Sequence, residues 1–301
     1  MCYNCYGDIM DNEKISLTRS EYKKLKNNNG KKRKPRWNNI ILFIFIVILF
    51  IVLIISLINI IKWNIDRTNS NKNIEDISQS TNIVEVKDND NTEIIDNDVD
   101  KDNPYWNYIK MSLINVDFTD LKKTNKDIIG WIQVNSSNIN YPFVQAKDND
   151  YYLSHSIDKS YNKAGWVFMD YRNSYDDFDK NTILYAHGRT DRTMFGSLRE
   201  VIKKSWFDNK DNHVIKLSTE YENTLWQVFS AYKIPTTSDY LQTVFNSDDD
   251  FINFGNMLIK RSLYNFNVNI NKNDKILTLS TCHNDKEKIV IHAKLIKKEK
   301  R

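Results

Sequence analysis

The chain has 301 residues, of which 41% are hydrophobic, 12% aromatic and 27% charged, with 7 glycines, 4 prolines and 3 cysteines. That composition excludes whole-chain disorder and a collagen-like rod, and three cysteines are too few for a disulfide-dense secreted scaffold. The net charge of +4 and the mean hydropathy of −0.58 are averages over unlike segments.

Residues 1–38 carry 10 Lys/Arg against 4 Asp/Glu, including the run Lys31-Lys32-Arg33-Lys34-Pro35-Arg36. From Ile40 to Ile61 the sequence reads IILFIFIVILFIVLIISLINII, 22 residues without a charge. As a helix this run is about 33 Å long, enough to cross the hydrocarbon core of a bilayer. It is too long for the apolar region of a cleaved signal peptide, and Ile60-Ile61-Lys62-Trp63 lacks the small residues of a cleavage site. Residues 39–61 therefore read as an uncleaved transmembrane anchor, bracketed by Trp37 and Trp63. Basic flanks stay cytoplasmic, so residues 1–38 read as a cytoplasmic tail and everything after the anchor as extracellular. Placed against the anchor, the basic run is a topology signal and not a nucleic-acid patch. Cys2 and Cys5, in C-x-x-C spacing, have no second pair or histidine in the tail to complete a zinc site, and read as incidental reduced thiols.

Residues 62–103 hold 5 basic and 11 acidic groups and almost no aromatics, which reads as a solvated, Asn/Asp-rich stalk. Residues 104–301 hold most of the aromatics and read as one globular domain. Within it, strands are predicted at 130–134, 139–145, 165–170, 181–187, 213–219, 224–234, 275–282 and 288–296. In the last of these, Ile289, Ile291, Ala293 and Leu295 share one face, and Val290, His292 and Lys294 the other. Helical periodicity appears at 106–118, 194–205 and 248–264. The third opens on Ser247-Asp248-Asp249-Asp250 and aligns Phe251, Phe254, Leu258 and Ile259. Many strands, three helices and no βαβ rhythm favour an antiparallel sheet or closed barrel.

Cys282 is the only cysteine after the anchor. It ends the run Lys-Ile-Leu-Thr-Leu-Ser-Thr-Cys, so it emerges where a strand leaves the core. A thiol has a free pKa of about 8.5 and needs an activating partner, usually histidine. The candidates are His155, His187, His213, His283 and His292. His187 ends the apolar run Thr182–Ala186, before Gly188, and so also sits where a strand leaves the core. His283 points away from its neighbour if the strand continues. His292 reads as a solvated strand residue, and His155 and His213 as residues of polar loops. No cluster with metal-ligand spacing is present, so no metal and no cofactor are expected.

The segment Thr278-Leu279-Ser280-Thr281-Cys282 resembles the T-L-x-T-C signature of sortases, membrane-anchored cysteine transpeptidases of Gram-positive bacteria. Leu184-Tyr185-Ala186-His187-Gly188, followed by Thr193-Met194-Phe195-Gly196-Ser197-Leu198, is similar to the histidine segment of class B members. Residues 238–266 resemble the helix that this class inserts before the cysteine strand. The resemblance covers about residues 104–301. It implies a closed eight-stranded β-barrel, mainly β with helices and preceded by a single transmembrane helix, with a groove for a C-terminal sorting signal of N-P-x-T-x or L-P-x-T-G type. It implies further that Cys282 attacks the carbonyl after the threonine, that His187 protonates the departing amine, and that a thioester links enzyme and substrate. The implied partners are surface proteins bearing the signal, with a cell-wall precursor or pilin amine as acceptor.

The family's catalytic arginine, at the start of the final strand, is missing: Lys288 stands at the matching place. Lysine supplies the charge without the planar fork. Lys288 could serve, Arg189 or Arg192 could reach in instead, or Lys288 could be a plain surface lysine. The family's common asparagine after the histidine is Gly188 here. The alternatives to transpeptidation are a catalytically weak or degenerate peptide-binding module and a thiol hydrolase of papain type, which is disfavoured because there the cysteine precedes the histidine.

Overall fold

The computed structural model describes residues 18–28, 36–95, 103–282 and 287–301. Cys2, Cys5, residues 31–35 of the basic run and His283 lie outside them. The chain divides into two units, 1–60 and 61–301. In the first, helix α1 (Arg19–Asn28) opens on a capping arrangement in which the Thr18 hydroxyl and backbone amide both donate to the Glu21 carboxylate, at 2.7 and 2.9 Å. Helix α2 (Trp37–Ser80) begins here, and its apolar stretch is exposed on every face. It is the one described helix long and apolar enough to cross a membrane.

The second unit is a barrel. After β1 (Ile83–Val86), β2 (Thr92–Ile94), the short helix α3 (Tyr105–Tyr108), β3 (Leu113–Val116) and α4 (Thr119–Thr124) come the barrel strands. These are β4 (Ile128–Val134), β5 (Asn140–Val144), β6 (Phe168–Met169), β7 (Asn181–His187), β8 (Val214–Thr219), β9 (Glu222–Pro235), β10 (Ile276–Cys282) and β11 (Glu287–Lys300). Their spatial order is β10-β7-β6-β5-β4-β8-β9-β11, and β11 pairs back onto β10, so the eight strands close and leave no free edge within the ring. Each of the eight runs read from the sequence lies on one of these strands. The ring is the closed barrel that many strands without a βαβ rhythm favour, and within it two neighbouring pairs, β10 with β7 and β5 with β6, are parallel. Trp131, Phe143, Trp166, Phe168, Trp226 and Leu279 belong to one buried core inside the ring.

Helix α6 (Asp248–Arg261) follows its predicted pattern closely. The Ser247 hydroxyl accepts the Asp250 amide at its N-terminus, and three aspartates occupy the first turn. Phe251, Phe254 and Leu258 pack with Phe229, Tyr232, Ile276 and Val290 in a second core. This second layer overturns the reading of His292. Both faces of β11 are covered, so His292 is fully buried.

Two other expectations differ. The helix read over 106–118 stops at Tyr108, and β3 follows as a strand paired with β1 from Ile83↔Val116 to Val86↔Leu113. The helix read over 194–205 is a 3₁₀ turn, Gly196–Glu200, followed by helix α5 (Lys204–Asp208). At Gly196 a Cβ would lie 2.2 Å from the Arg189 carbonyl oxygen, so this segment wraps tightly on the preceding loop. The described part of 62–103, which reads as a solvated stalk, is largely exposed and carries helix and strand. α2 continues to Ser80, and β2 adds to the outer edge of β11. The few apolar residues of this stretch do the anchoring: Ile77 is in the barrel core, and Ile74, Ile83 and Ile95 pack against it.

Candidate active site

Along β7 every residue from Asn181 to Ala186 is buried, and the chain surfaces at His187. Along β10 Ile276 to Thr281 are buried, and the strand ends at Cys282. The two strands run parallel in unbroken register from Ile276↔Asn181 to Cys282↔His187. Residues 95 positions apart in the chain thus become direct cross-strand neighbours, with backbones about 4.8 Å apart. Parallel pairing is what makes this work: both strands leave the core at the same end, so both terminal residues reach the same rim.

β11 brings in the third candidate. Its antiparallel ladder with β10 runs from Ile276↔Lys294 to Ser280↔Val290, and the Ile289 amide donates to Thr281 Oγ1 at 2.9 Å. The paired register ends at Ser280↔Val290, and Lys288 lies two residues before Val290 on β11, the strand beside β10. Lys288 is half-buried, with Ile234 of β9 as its other cross-strand partner. Cys282 is therefore paired in the sheet with His187 on β7, and Lys288 is carried by β11, the strand on the other side of β10.

The two alternative arginines are engaged elsewhere. Arg189 is half-buried, its guanidinium donating to Asp191 at 2.8 Å and to Thr193 Oγ1 at 3.0 Å. Burial alone would raise the Asp191 carboxyl, but hydrogen bonds from Arg189 and Thr193 hold it below the usual aspartate range. Arg192 is largely exposed and faces Glu200 at 3.5 Å.

His187 Nε2 lies 2.8 Å from the Leu153 carbonyl oxygen. A carbonyl can only accept, so Nε2 carries the proton of this bond. Nothing in the sequence marks a main-chain carbonyl as an imidazole partner. The one nearby signal is Gly165, in the left-handed region with φ +61°, where a Cβ would lie 2.5 Å from the Tyr152 carbonyl oxygen and 2.9 Å from that of Leu153. A second unread feature steadies β7. Tyr185 and Arg172 both donate to Asp170, at 2.9 and 2.7 Å. Against its burial, these bonds keep the Asp170 carboxyl low.

The remaining histidines have other places. His155 stacks on Tyr151 at 4.0 Å between ring centres, and its Nδ1 bonds the Tyr151 carbonyl. His213 is buried among Trp206, Phe207 and Phe266, not in a polar loop, and burial with Lys210 nearby pushes its pKa down to about 4. His292 is enclosed in a polar chain. Thr278 Oγ1 donates to Asn181 Oδ1 at 2.7 Å and so must accept from His292 Nδ1 at 2.9 Å. Nε2 then accepts from the Tyr232 hydroxyl at 2.8 Å, which makes the ring neutral. Burial, aided by Arg261, pushes its pKa down to about 3.

A family model described as the sortase domain matches residues 132–296, more than half of the chain. The chain belongs to the sortase family. Sortase B of Staphylococcus aureus is 38% identical over 184 residues, which are 60% of this chain and 75% of that protein. Sortase B of Listeria monocytogenes is 37% identical over 187 residues, 60% and 74% of the two chains. Among solved structures, the S. aureus sortase B–substrate complex aligns with a TM-score of 0.57 at 38% identity, covering 60% of this chain and 84% of that one. A sortase B solved in complex with triglycine gives the same TM-score and identity, at 60% of this chain and 85% of its own. Sortase B from Bacillus anthracis in complex with AAEK2 reaches 0.60 at 33% identity, covering 79% and 98%. This sortase is a class B member with the closed eight-stranded barrel, and it is a cysteine transpeptidase acting on proteins that bear a sorting signal.

Proposed function

We propose that Cys282 is the nucleophile, His187 the general acid and Lys288 the oxyanion-stabilising cation of a transpeptidase acting on an N-P-x-T-x or L-P-x-T-G signal. The observation that carries this reading is the Cys282↔His187 register pair at the open end of two parallel strands. The Cys282 thiolate adds to the carbonyl carbon after the threonine. The tetrahedral intermediate collapses as the C–N bond breaks, with His187 giving its proton to the departing amine. The resulting thioester is attacked by an acceptor amine, whose proton returns to His187 as the thiolate leaves. Splitting amide exchange in two lowers each barrier, and general acid help is worth roughly 10²–10⁴-fold.

Lys288 offers a positive charge across the sheet from the nucleophile, where negative charge develops on the carbonyl oxygen. The acceptor is a primary amine of a cell-wall precursor or a pilin lysine; the triglycine in complex with one sortase B relative is a peptide of that chemical class. Residues 39–61 hold the enzyme in the membrane, with residues 1–38 cytoplasmic and residues 104–301, the catalytic domain, outside.

The test uses the full chain in detergent with a quenched-fluorescent peptide carrying an N-P-x-T-x core. Cleavage that Cys282→Ala and His187→Ala both abolish, with an amide product when a free amine is added, is the expected result. Cleavage that survives Cys282→Ala overturns the mechanism, and an acid product regardless of added amine makes the enzyme a hydrolase. Orientation is tested separately on intact cells: a membrane-impermeant thiol reagent should label a chain retaining only Cys282 and spare one retaining only Cys2 and Cys5.

A further inference from the structure

Two loops hold His187. The first, residues 151–165, supplies the Leu153 carbonyl to Nε2. Its shape is fixed by Asn162, which is 2% exposed. The Asn162 amide donates to the Ser154 carbonyl, its side-chain oxygen accepts the Ala164 amide at 2.8 Å, and its carbonyl accepts the Gly165 amide. The Trp166 amide then closes back on the Tyr152 carbonyl, next to Leu153. The second loop, residues 188–196, holds the His187 backbone: the Phe195 amide donates to the His187 carbonyl at 3.1 Å, and Arg199 bonds the Gly188 and Arg189 carbonyls.

Residues 61–80 of α2 touch both loops. Asn162 Nδ2 donates to Ser70 Oγ at 3.1 Å and to the Asp66 carbonyl at 3.2 Å, and Ser70 is fully buried. One turn on, Asn73 Nδ2 donates to Ser156 Oγ at 2.9 Å. Toward the second loop, Arg67 lies 3.9 Å from Asp191, and the guanidinium groups of Arg67 and Arg189 lie 5.7 and 5.9 Å from the centre of the Trp63 ring. These are specific polar contacts from a stretch whose composition gives no hint of them.

We infer that Ser70 and Asn73 are positioning residues for His187: they fix loop 151–165 so that the Leu153 carbonyl holds Nε2–H and keeps the imidazole aimed for proton transfer. This rests on His187 as the general acid. An imidazole free to rotate spends part of its time with neither nitrogen aligned, and a small misplacement of a catalytic group is felt in the rate more than in binding. Without Ser70 Oγ and Asn73 Nδ2, Asn162 Nδ2 retains only its long bond to the Asp66 carbonyl, Ser156 Oγ loses its bond from α2, and the loop relaxes away from the helix.

The test compares the full chain in detergent with Ser70→Ala/Asn73→Ala, the two single variants and His187→Ala. The measurements are turnover of the N-P-x-T-x peptide and solvent exchange of the His187 Nε2 proton by NMR on histidine-labelled protein. A hydrogen bond's net worth corresponds to roughly fivefold in an equilibrium, so kcat in the double variant should fall about three- to tenfold. KM should change less than about twofold, and the Nε2 proton should broaden into exchange with water. The single variants, each losing one bond, fall between and keep the inference testable if the double variant folds poorly. Unchanged kcat, or a fall in kcat with the Nε2 proton still protected, overturns the inference. Turnover that persists in His187→Ala overturns instead the acid role on which it rests, so the two failures are distinguishable.

Discussion

Acid should destabilise this barrel well before its carboxylates titrate, and the cause is two buried neutral histidines. An unfolded histidine has a pKa of about 6.5. Burial holds His292 down to about 3 and His213 to about 4. Below pH 6.5 the unfolded chain therefore binds two protons that the folded chain refuses. The stability these rings contribute is fully present above pH 6.5 and is lost as pH falls toward 4 for one and 3 for the other. Each contributes a slope of about 1.4 kcal/mol per pH unit inside that window, so between pH 7 and 5 the pair should remove about 4 kcal/mol. Asp170 and Asp191 are held low, so their contribution is lost only below the ordinary aspartate range and does not enter the window. Glu222, pushed up by burial, titrates in the opposite sense and trims the loss. The measurement is urea unfolding of the full chain in detergent at pH 7, 6 and 5, followed by fluorescence of the buried Trp131, Trp166 and Trp226. His292→Gln, which preserves a donor and an acceptor for Thr278 and Tyr232, should cut the loss to about 2 kcal/mol. A flat profile from pH 7 to 5, or one that His292→Gln leaves unchanged, refutes the reasoning.

Lys288→Ala should lower kcat about tenfold or more, and Lys288→Arg should preserve or raise it, both read with the peptide assay; kinetics unchanged in Lys288→Ala return it to the surface. Gly165→Ala introduces a side chain at φ +61° and within 2.5 Å of a carbonyl oxygen, so stability should fall by at least about 1–2 kcal/mol. The displaced Leu153 carbonyl should cost turnover beyond what the melting shift explains, seen by comparing kcat with Tm. Lys297, fully buried, donates to the Ile109 and Met111 carbonyls and to Asp88, each at 2.7 Å. Lys297→Met strands these acceptors and should lower stability by about 2–3 kcal/mol in urea unfolding, with peptide turnover at saturating substrate kept in the fraction that stays folded.

Much of the barrel is legible in the sequence because its strands are written as short apolar runs. The two proposed site residues are legible because each ends such a run: Asn181–Ala186 and Ile276–Thr281 are buried, and the strands end at His187 and Cys282. What the runs do not carry is which strand lies beside which. The β7–β10 pairing joins segments about 90 residues apart, and only the closed ring decides it. His292 shows the opposite failure. Polar residues alternating with apolar ones ordinarily mean one wet face, but α6 covers that face, and Tyr232 and Thr278 satisfy the ring there. The helix and strands within 62–103 are hidden from composition for a related reason. Averaging over 62–103 weighs the acidic residues and hides Ile74, Ile77 and Ile83, whose burial decides where the chain goes.

The parts of the site that escaped sequence reading are main-chain and distant. The Leu153 carbonyl has no residue signature, and Ser70 and Asn73 are polar residues in a polar stretch, 117 and 114 positions before the histidine they support. A short apolar run is enough to deliver the proposed nucleophile and acid to one rim, because strand length sets where each chain emerges. Aiming the imidazole once it is there takes a second set of contacts, made by a carbonyl, a glycine with positive φ and two side chains on a helix. Those contacts add little to the core, which explains why composition and periodicity pass over them, and it is also why substitutions there should register in kcat before they register in stability.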